Sequence, residues 1–186
     1  MPVKTLIDRL TDESNHWLNA CGLEDIGNYS DAAILYLKDA TESLKIGSQV
    51  RAGLSCSCAA DCITKFKTDN ISKKLYLKAA TIYMDIVKSS RNKSIRKWLW
   101  SLQKAYENFV LAGETSVAEL VLDEYVALAK RVQPSRLEVK PRLAKPNTNS
   151  QLTREAGLDL PKTVSDFVSL FLEPSDFNQN IRLEEL

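Results

Sequence analysis

The sequence predicts an all-α fold, a stack of about three antiparallel helix hairpins followed by a C-terminal extension. Three observations predict it. Pro2 is followed by no proline until Pro134, so 131 consecutive residues are open to helix. A proline in a helix interior costs about 3 kcal/mol and breaks it, so the run Pro134, Pro141, Pro146, Pro161 and Pro174 changes the character of the chain. Turn signals recur near Gly27, Asp69 and Gly113, and after each comes a similar order of small and aromatic residues. The turns are 42 and 44 residues apart, and a recurrence near this period marks a helical-hairpin repeat, in which each unit buries its apolar face on the next.

Stop and start residues divide the first part into six helices. The first runs from Val3 to near Cys21, with Leu6, Leu10, Trp17 and Leu18 apolar. Gly22 and Gly27 are expected to bracket the following turn. The second spans Tyr29 to Leu44 and is stopped by Gly47. The third follows Ser48 and runs to about Phe66. Asp69 and Asn70 mark a turn, and the fourth spans Ile71 to Lys88. Residues 89–94 (SSRNKS) form a polar loop before the fifth helix, Ile95 to Leu111, which Gly113 ends. Ser116 with Glu119 predicts a capping box, in which each side chain satisfies a backbone donor of the other's turn. The sixth helix then runs to Val132.

The repeat shows in the residues after each hairpin turn: Ala32 and Tyr36, then Leu75, Tyr76 and Ala79, then Ala118, Leu122 and Tyr125. Small residues let helices approach closely, and an aromatic one turn on fills the groove beside them. The stretch GNYSDAAILYLKDA (27–40) resembles the second helix of a tetratricopeptide hairpin, with Gly27, Tyr29, Ala32 and Tyr36 on the pattern and Asp39 where a small residue is expected. The longer period, with KKLYLKAATIYMD (73–85) and AYENFVLAGETSVAELVLDEYVALA (105–129), resembles the soluble NSF attachment protein (SNAP) family over residues 1–132. That resemblance implies a right-handed superhelical α-solenoid that binds other proteins, with work in vesicle trafficking or complex assembly.

Composition narrows the function classes. Apolar residues are 44% of the chain, enough for a core, and the formal net charge is +1. No apolar run approaches the roughly 18 residues of a membrane span. MPVKTLIDRLTDESNHW carries acids early and lacks a long apolar stretch, so a cytoplasmic chain is expected. No glycine-rich phosphate loop, HExxH or GxSxG occurs, and the single His16 has no evident catalytic partner. No enzyme activity and no cofactor is expected. Cys58 and Cys62 would share a helix face, with Cys56 nearby and Cys21 distant. Zinc needs about four N or S ligands, so these thiols read as small packing residues of a reduced chain rather than a metal site.

Charge is segregated along the chain. Residues 1–62 carry 5 basic and 9 acidic side chains, whereas residues 63–104 carry 11 basic and 2 acidic. The overall balance therefore hides a strongly basic middle, either a solvated face or a docking surface for an anionic partner. The docking reading selects Lys73, Lys74, Arg96, Lys97 and Lys104. On the fifth helix Trp98, Leu102, Ala105, Tyr106 and Phe109 share one face, and Trp100 points elsewhere, as a packing residue or as an aromatic anchor. A protein partner with an acidic or helical surface is expected, with any membrane association peripheral and through a complex. A nucleic-acid-associated helical protein using the same lysines is the alternative, although a typical nucleic-acid binder is basic overall.

Residues 133–162 contain no aromatic residue and four prolines, and read as a linker. Residues 163–186 read as a short amphipathic helix and a C-terminal tail: within TVSDFVSLFLEP (163–174) Val164, Phe167, Val168, Phe171 and Leu172 share one face, opened by a looser capping box of Thr163 and Asp166. This helix either packs back on the solenoid or binds a groove in a partner. The final residues, SDFNQNIRLEEL, resemble an MIT-interacting motif at Asp176, Arg182, Leu183 and Leu186, with Gln179 where that family has leucine. The resemblance implies that Leu183 and Leu186 contact a helical partner.

Overall fold

A computed structural model describes residues 15–66, 69–91, 93–132 and 159–172. Of the described residues 85% are helical and none is in a strand. The helices are α1 (His16–Asp25), α2 (Tyr29–Lys45), α3 (Gln49–Ile63), α4 (Asp69–Ser90), α5 (Ile95–Ala112), α6 (Thr115–Val132) and α7 (Lys162–Phe171). Each of the first six packs on its neighbour in sequence, and α7 returns to pack on α2. Connections of two to five residues force consecutive helices to run antiparallel. The part of the first predicted helix before residue 15 lies outside the described residues, as does the linker up to residue 158.

The helix ends follow local chemistry. The side-chain oxygens of Asn15, Asn28 and Ser94 accept from the backbone N–H groups of Leu18, Asp31 and Lys97, filling donors that a first turn leaves empty. Gly113 ends α5 at φ 88°, and Gly27 and Gly47 follow α1 and α2 at φ 80° and 75°. Residues without a Cβ take that left-handed conformation at no steric cost.

Four expected boundaries are corrected. Gly22 does not bracket a turn; it lies inside α1, where nothing within 4 Å opposes it, and Gly27 alone makes the reversal. Ser116 is the second residue of α6 rather than its cap, because the helix begins at Thr115. Thr163 is likewise the second residue of α7, where Pro161 holds the cap position and no side chain caps the helix. Proline's fixed φ and missing N–H suit a helix start, which moves the boundary upstream. Asp69 and Asn70, read as a turn, open α4, while α3 stops at Ile63 before a turn through Phe66.

Two apolar clusters fill the interior. The first gathers α1, α2, α3, the start of α4 and α7 around Tyr36, Leu37, Ile63 and Leu75, with Val164 and Val168 of α7 buried in it. The second joins the later half of α4 to α5 and α6 around Tyr83, Ile86, Leu102, Phe109 and Val121. The expected small-and-aromatic positions Ala32, Tyr36, Leu75, Tyr76, Ala79 and Ala118 are all buried, and Leu122 and Tyr125 are half-buried. Many of the core residues are alanines, so helix axes approach closely and aromatic rings fill the remaining volume. Gly53 is the tightest case: a Cβ there would sit 2.9 Å from Cζ of Tyr83. The α3–α4 contact thus depends on a missing side chain.

Several polar groups inside this packing are paired across helices, whereas the Tyr83 and Ser101 hydroxyls are buried without a hydrogen-bond partner among the described residues. Asp39, 4% exposed, accepts from Arg51 Nε through both carboxylate oxygens at 3.0 Å and from the Ser55 hydroxyl, which joins α2 to α3. Asp39 fills a place where the repeat pattern calls for a small residue, and α3 supplies its partners. The Tyr36 hydroxyl donates to Glu24 at 2.9 Å, tying α2 back to α1. The Ser57 hydroxyl donates to Asn108 Oδ1 at 2.8 Å, tying α3 to α5 across the intervening helix in sequence.

Candidate docking surface

The cysteines and the histidine are held by packing and local hydrogen bonds. All four thiols are free. Burial pushes the Cys56 and Cys58 thiols up to about 12 and raises Cys62 as well, so none is a ready thiolate. The Cys56 thiol donates to the Leu75 carbonyl at 3.2 Å, while Cys58 and Cys62 lie in the small-residue face of α3. Among the described residues no three His, Cys, Asp or Glu side chains group as a metal site. His16 Nε2 lies 3.2 Å from Glu42 Oε1 at the protein surface.

The five selected cations and Trp100 separate into two groups. Lys73 and Lys74 are exposed near the start of α4. Arg96 and Lys97 are exposed in the first turn of α5, beside the opposite end of α4. At 1.5 Å per residue, Lys73 stands about 22 Å along α4 from Lys88, next to that end. One rigid ligand group therefore does not meet all four cations at once. Arg96, Lys97, Trp100 and Lys104 do come together: at 100° per residue they fall within one 100° sector of α5. Lys104 is half-buried and donates to Glu107 at 2.7 Å, which moderates its charge. Leu183 and Leu186 lie outside the described residues.

Trp100 is packed on one side and exposed on the other. Its indole meets the Tyr83 ring edge-on, centroids 5.6 Å apart at 83°, and Tyr83 in turn covers Gly53. Yet the residue remains 37% exposed. The result is an aromatic packed from behind with part of its surface in solvent. Trp98 instead lies half-buried beneath the Arg91 guanidinium, 6.0 Å from the ring centroid, and Arg91 is paired with Glu124 at 3.2 Å.

Sequence reasoning did not select the neighbours that widen this stripe. Val50 and Leu54 are exposed one turn apart on α3, the helix that Ser57 ties to α5. Leu111 extends the α5 sector at its far end and is exposed as well. Their i, i+4 spacing was visible in the sequence, but the adjacency of α3 to α5 was not. Acids are sparse here: residues 86–106 contain six Lys or Arg and neither Asp nor Glu. No helix among the described residues is long and apolar enough to cross a membrane. Comparison with protein-family models, curated proteins and solved structures gives no match.

Proposed function

We propose that this chain is a non-enzymatic adaptor, built as a right-handed superhelical stack of three helical hairpins, that docks an acidic or helical protein partner along α5. The observation that carries the proposal is the braced, part-exposed Trp100 between Arg96, Lys97 and Lys104, with Val50 and Leu54 of α3 alongside. Tryptophan and arginine dominate binding energy at interfaces, and surrounding cations select an acidic ligand and speed its approach. Packing between sequence neighbours supports the stacked-hairpin architecture, since units of this kind present a continuous surface of successive helices. Trafficking or complex assembly is the setting that the sequence resemblance to SNAP-type hairpins would imply for such an adaptor.

The test compares proteins recovered from native extract with the wild-type chain and with Trp100→Ala/Arg96→Glu/Lys97→Glu. A partner lost by this variant and retained by Lys73→Glu/Lys74→Glu supports docking on α5. Equal recovery by all three proteins overturns it. Displacement of the recovered partner by duplex nucleic acid, with steep salt dependence, would instead favour the nucleic-acid reading of the same cations.

A further inference from the structure

We infer that one edge of the helical stack docks on an anionic lipid bilayer. The inference goes beyond protein docking along α5 and uses a different set of side chains. Because consecutive helices run antiparallel, the connections alternate between two edges. The α2–α3 turn, the α4–α5 turn and the end of α6 fall on the same edge. The Ser57–Asn108 hydrogen bond sets the level: two reversals separate α3 from α5, so they run in the same direction with an offset of 51 residues. The α2–α3 turn is thereby level with the start of α5. Pairing about the turn at 113–114 places the last residues of α6 opposite the first residues of α5, with Val132 level with Ile95.

At each of these three places an exposed aliphatic residue stands beside a cation. Ile46 is 79% exposed next to Lys45, Ile95 is 49% exposed near Lys93, and Val132 is 40% exposed next to Lys130 and Arg131. These four cations are exposed and have no acidic partner within 4 Å among the described residues. Among the described residues, the acids near this edge are partnered, buried or set back by a turn, with the Glu42 carboxylate itself 61% exposed. Glu42 is met by His16, Glu124 by Arg91, and Asp39 is buried beneath Arg51. Asp85 is exposed on α4 one turn before Lys88.

Aliphatic side chains at turns, surrounded by Lys and Arg, match the chemistry of a bilayer interface. The cations meet anionic headgroups while the aliphatic groups enter the region between headgroups and acyl chains. A nucleic acid would meet the same charge but has no use for isoleucine at the tips. Three separated contacts on one edge also orient the molecule, so that the α5 stripe is turned toward a protein held at the same surface.

The test is flotation of the full chain with phosphatidylcholine vesicles, with and without phosphatidylserine. Binding is expected only to the vesicles containing phosphatidylserine and should weaken as salt rises. Lys93→Glu/Lys130→Glu/Arg131→Glu should weaken it by about a hundredfold, and Ile46→Ser/Ile95→Ser by about tenfold. Trp100→Ala/Lys104→Glu should leave it unchanged, which separates this result from the fate of the protein-docking proposal. Circular dichroism checks that the helical content of each variant is preserved. Absence of wild-type binding, or equal binding to both vesicle types, overturns the inference. So does loss on charge reversal with no effect of the isoleucine pair, the pattern of a purely electrostatic partner such as nucleic acid.

Discussion

Gly53 inverts a general rule of helix energetics. Gly to Ala within a helix ordinarily stabilises by about 1 kcal/mol, because it removes backbone freedom from the unfolded chain. At position 53 the added methyl would meet a Tyr83 ring that is fully buried and backed by Trp100. Overpacking of this kind costs roughly 1–3 kcal/mol. Gly53→Ala is therefore expected to lower the melting temperature, as a thermal melt will show; a rise would mean that the ring yields easily. Asp39→Ala should also destabilise, by about 2–3 kcal/mol in chemical denaturation, since it strands Ser55 and one face of Arg51. Much of Arg51 reaches solvent, which keeps the cost below that of a fully buried pair. The thiols set a pH dependence. Cys56 and Cys58 lose their protons near 12 when folded and near 9 when unfolded. Above about pH 9 the unfolded chain binds fewer protons than the folded one, so stability falls as pH rises from 9 toward 12 and is insensitive to these thiols below 9. Melts recorded between pH 7 and 10.5 check the sign, and Cys56→Ala should flatten the decline. None of these three effects was legible in the sequence. Asp39 reads in the sequence as a departure from the repeat and Gly53 carries no signal of its own, and each owes its role to a partner on another helix.

At the scale of elements, α7 decides how the chain is divided. Val164 and Val168 are buried against the first cluster, and Leu160, Phe167, Phe171 and Leu172 pack around them. Complete burial of a valine contributes roughly 1.5–3 kcal/mol. Val164→Asp/Val168→Asp should therefore release α7, lower the melting temperature and open residues 159–172 to limited proteolysis, while α4 to α6 keep their protection in hydrogen exchange. Simultaneous loss of protection in α4 to α6 would show that the two clusters unfold as one unit. The existence and order of α2 to α7 were readable because prolines, glycines and apolar spacing act locally. The ends were less readable: Ser116 and Thr163 look like caps, yet Thr115 and Lys162 already belong to helices. The docking of α7 on α2 was not readable, since an apolar stripe states that a face must be covered and not by what.

For the whole molecule, folding redistributes the uneven charge of a near-neutral chain. Folding gathers basic residues at the α4–α5 turn and along α5, and sends Lys73 and Lys74 to the far end of α4. The contiguous cluster expected from the sequence was partly an effect of counting along the chain, which cannot distinguish neighbours in number from neighbours in space. Far-UV circular dichroism of residues 15–172 should be dominated by helix, and a substantial strand signal would contradict the packing described here. The return of α7 to α2 has a further consequence during synthesis. The surface of α2 that receives Val164 and Val168 waits for a segment made some 120 residues later. At bacterial or eukaryotic elongation rates of about 5–20 residues per second, that interval lasts roughly 6–25 s. Throughout it the nascent chain carries an uncovered apolar face on α2, and any product that stops before α7 keeps that face in water.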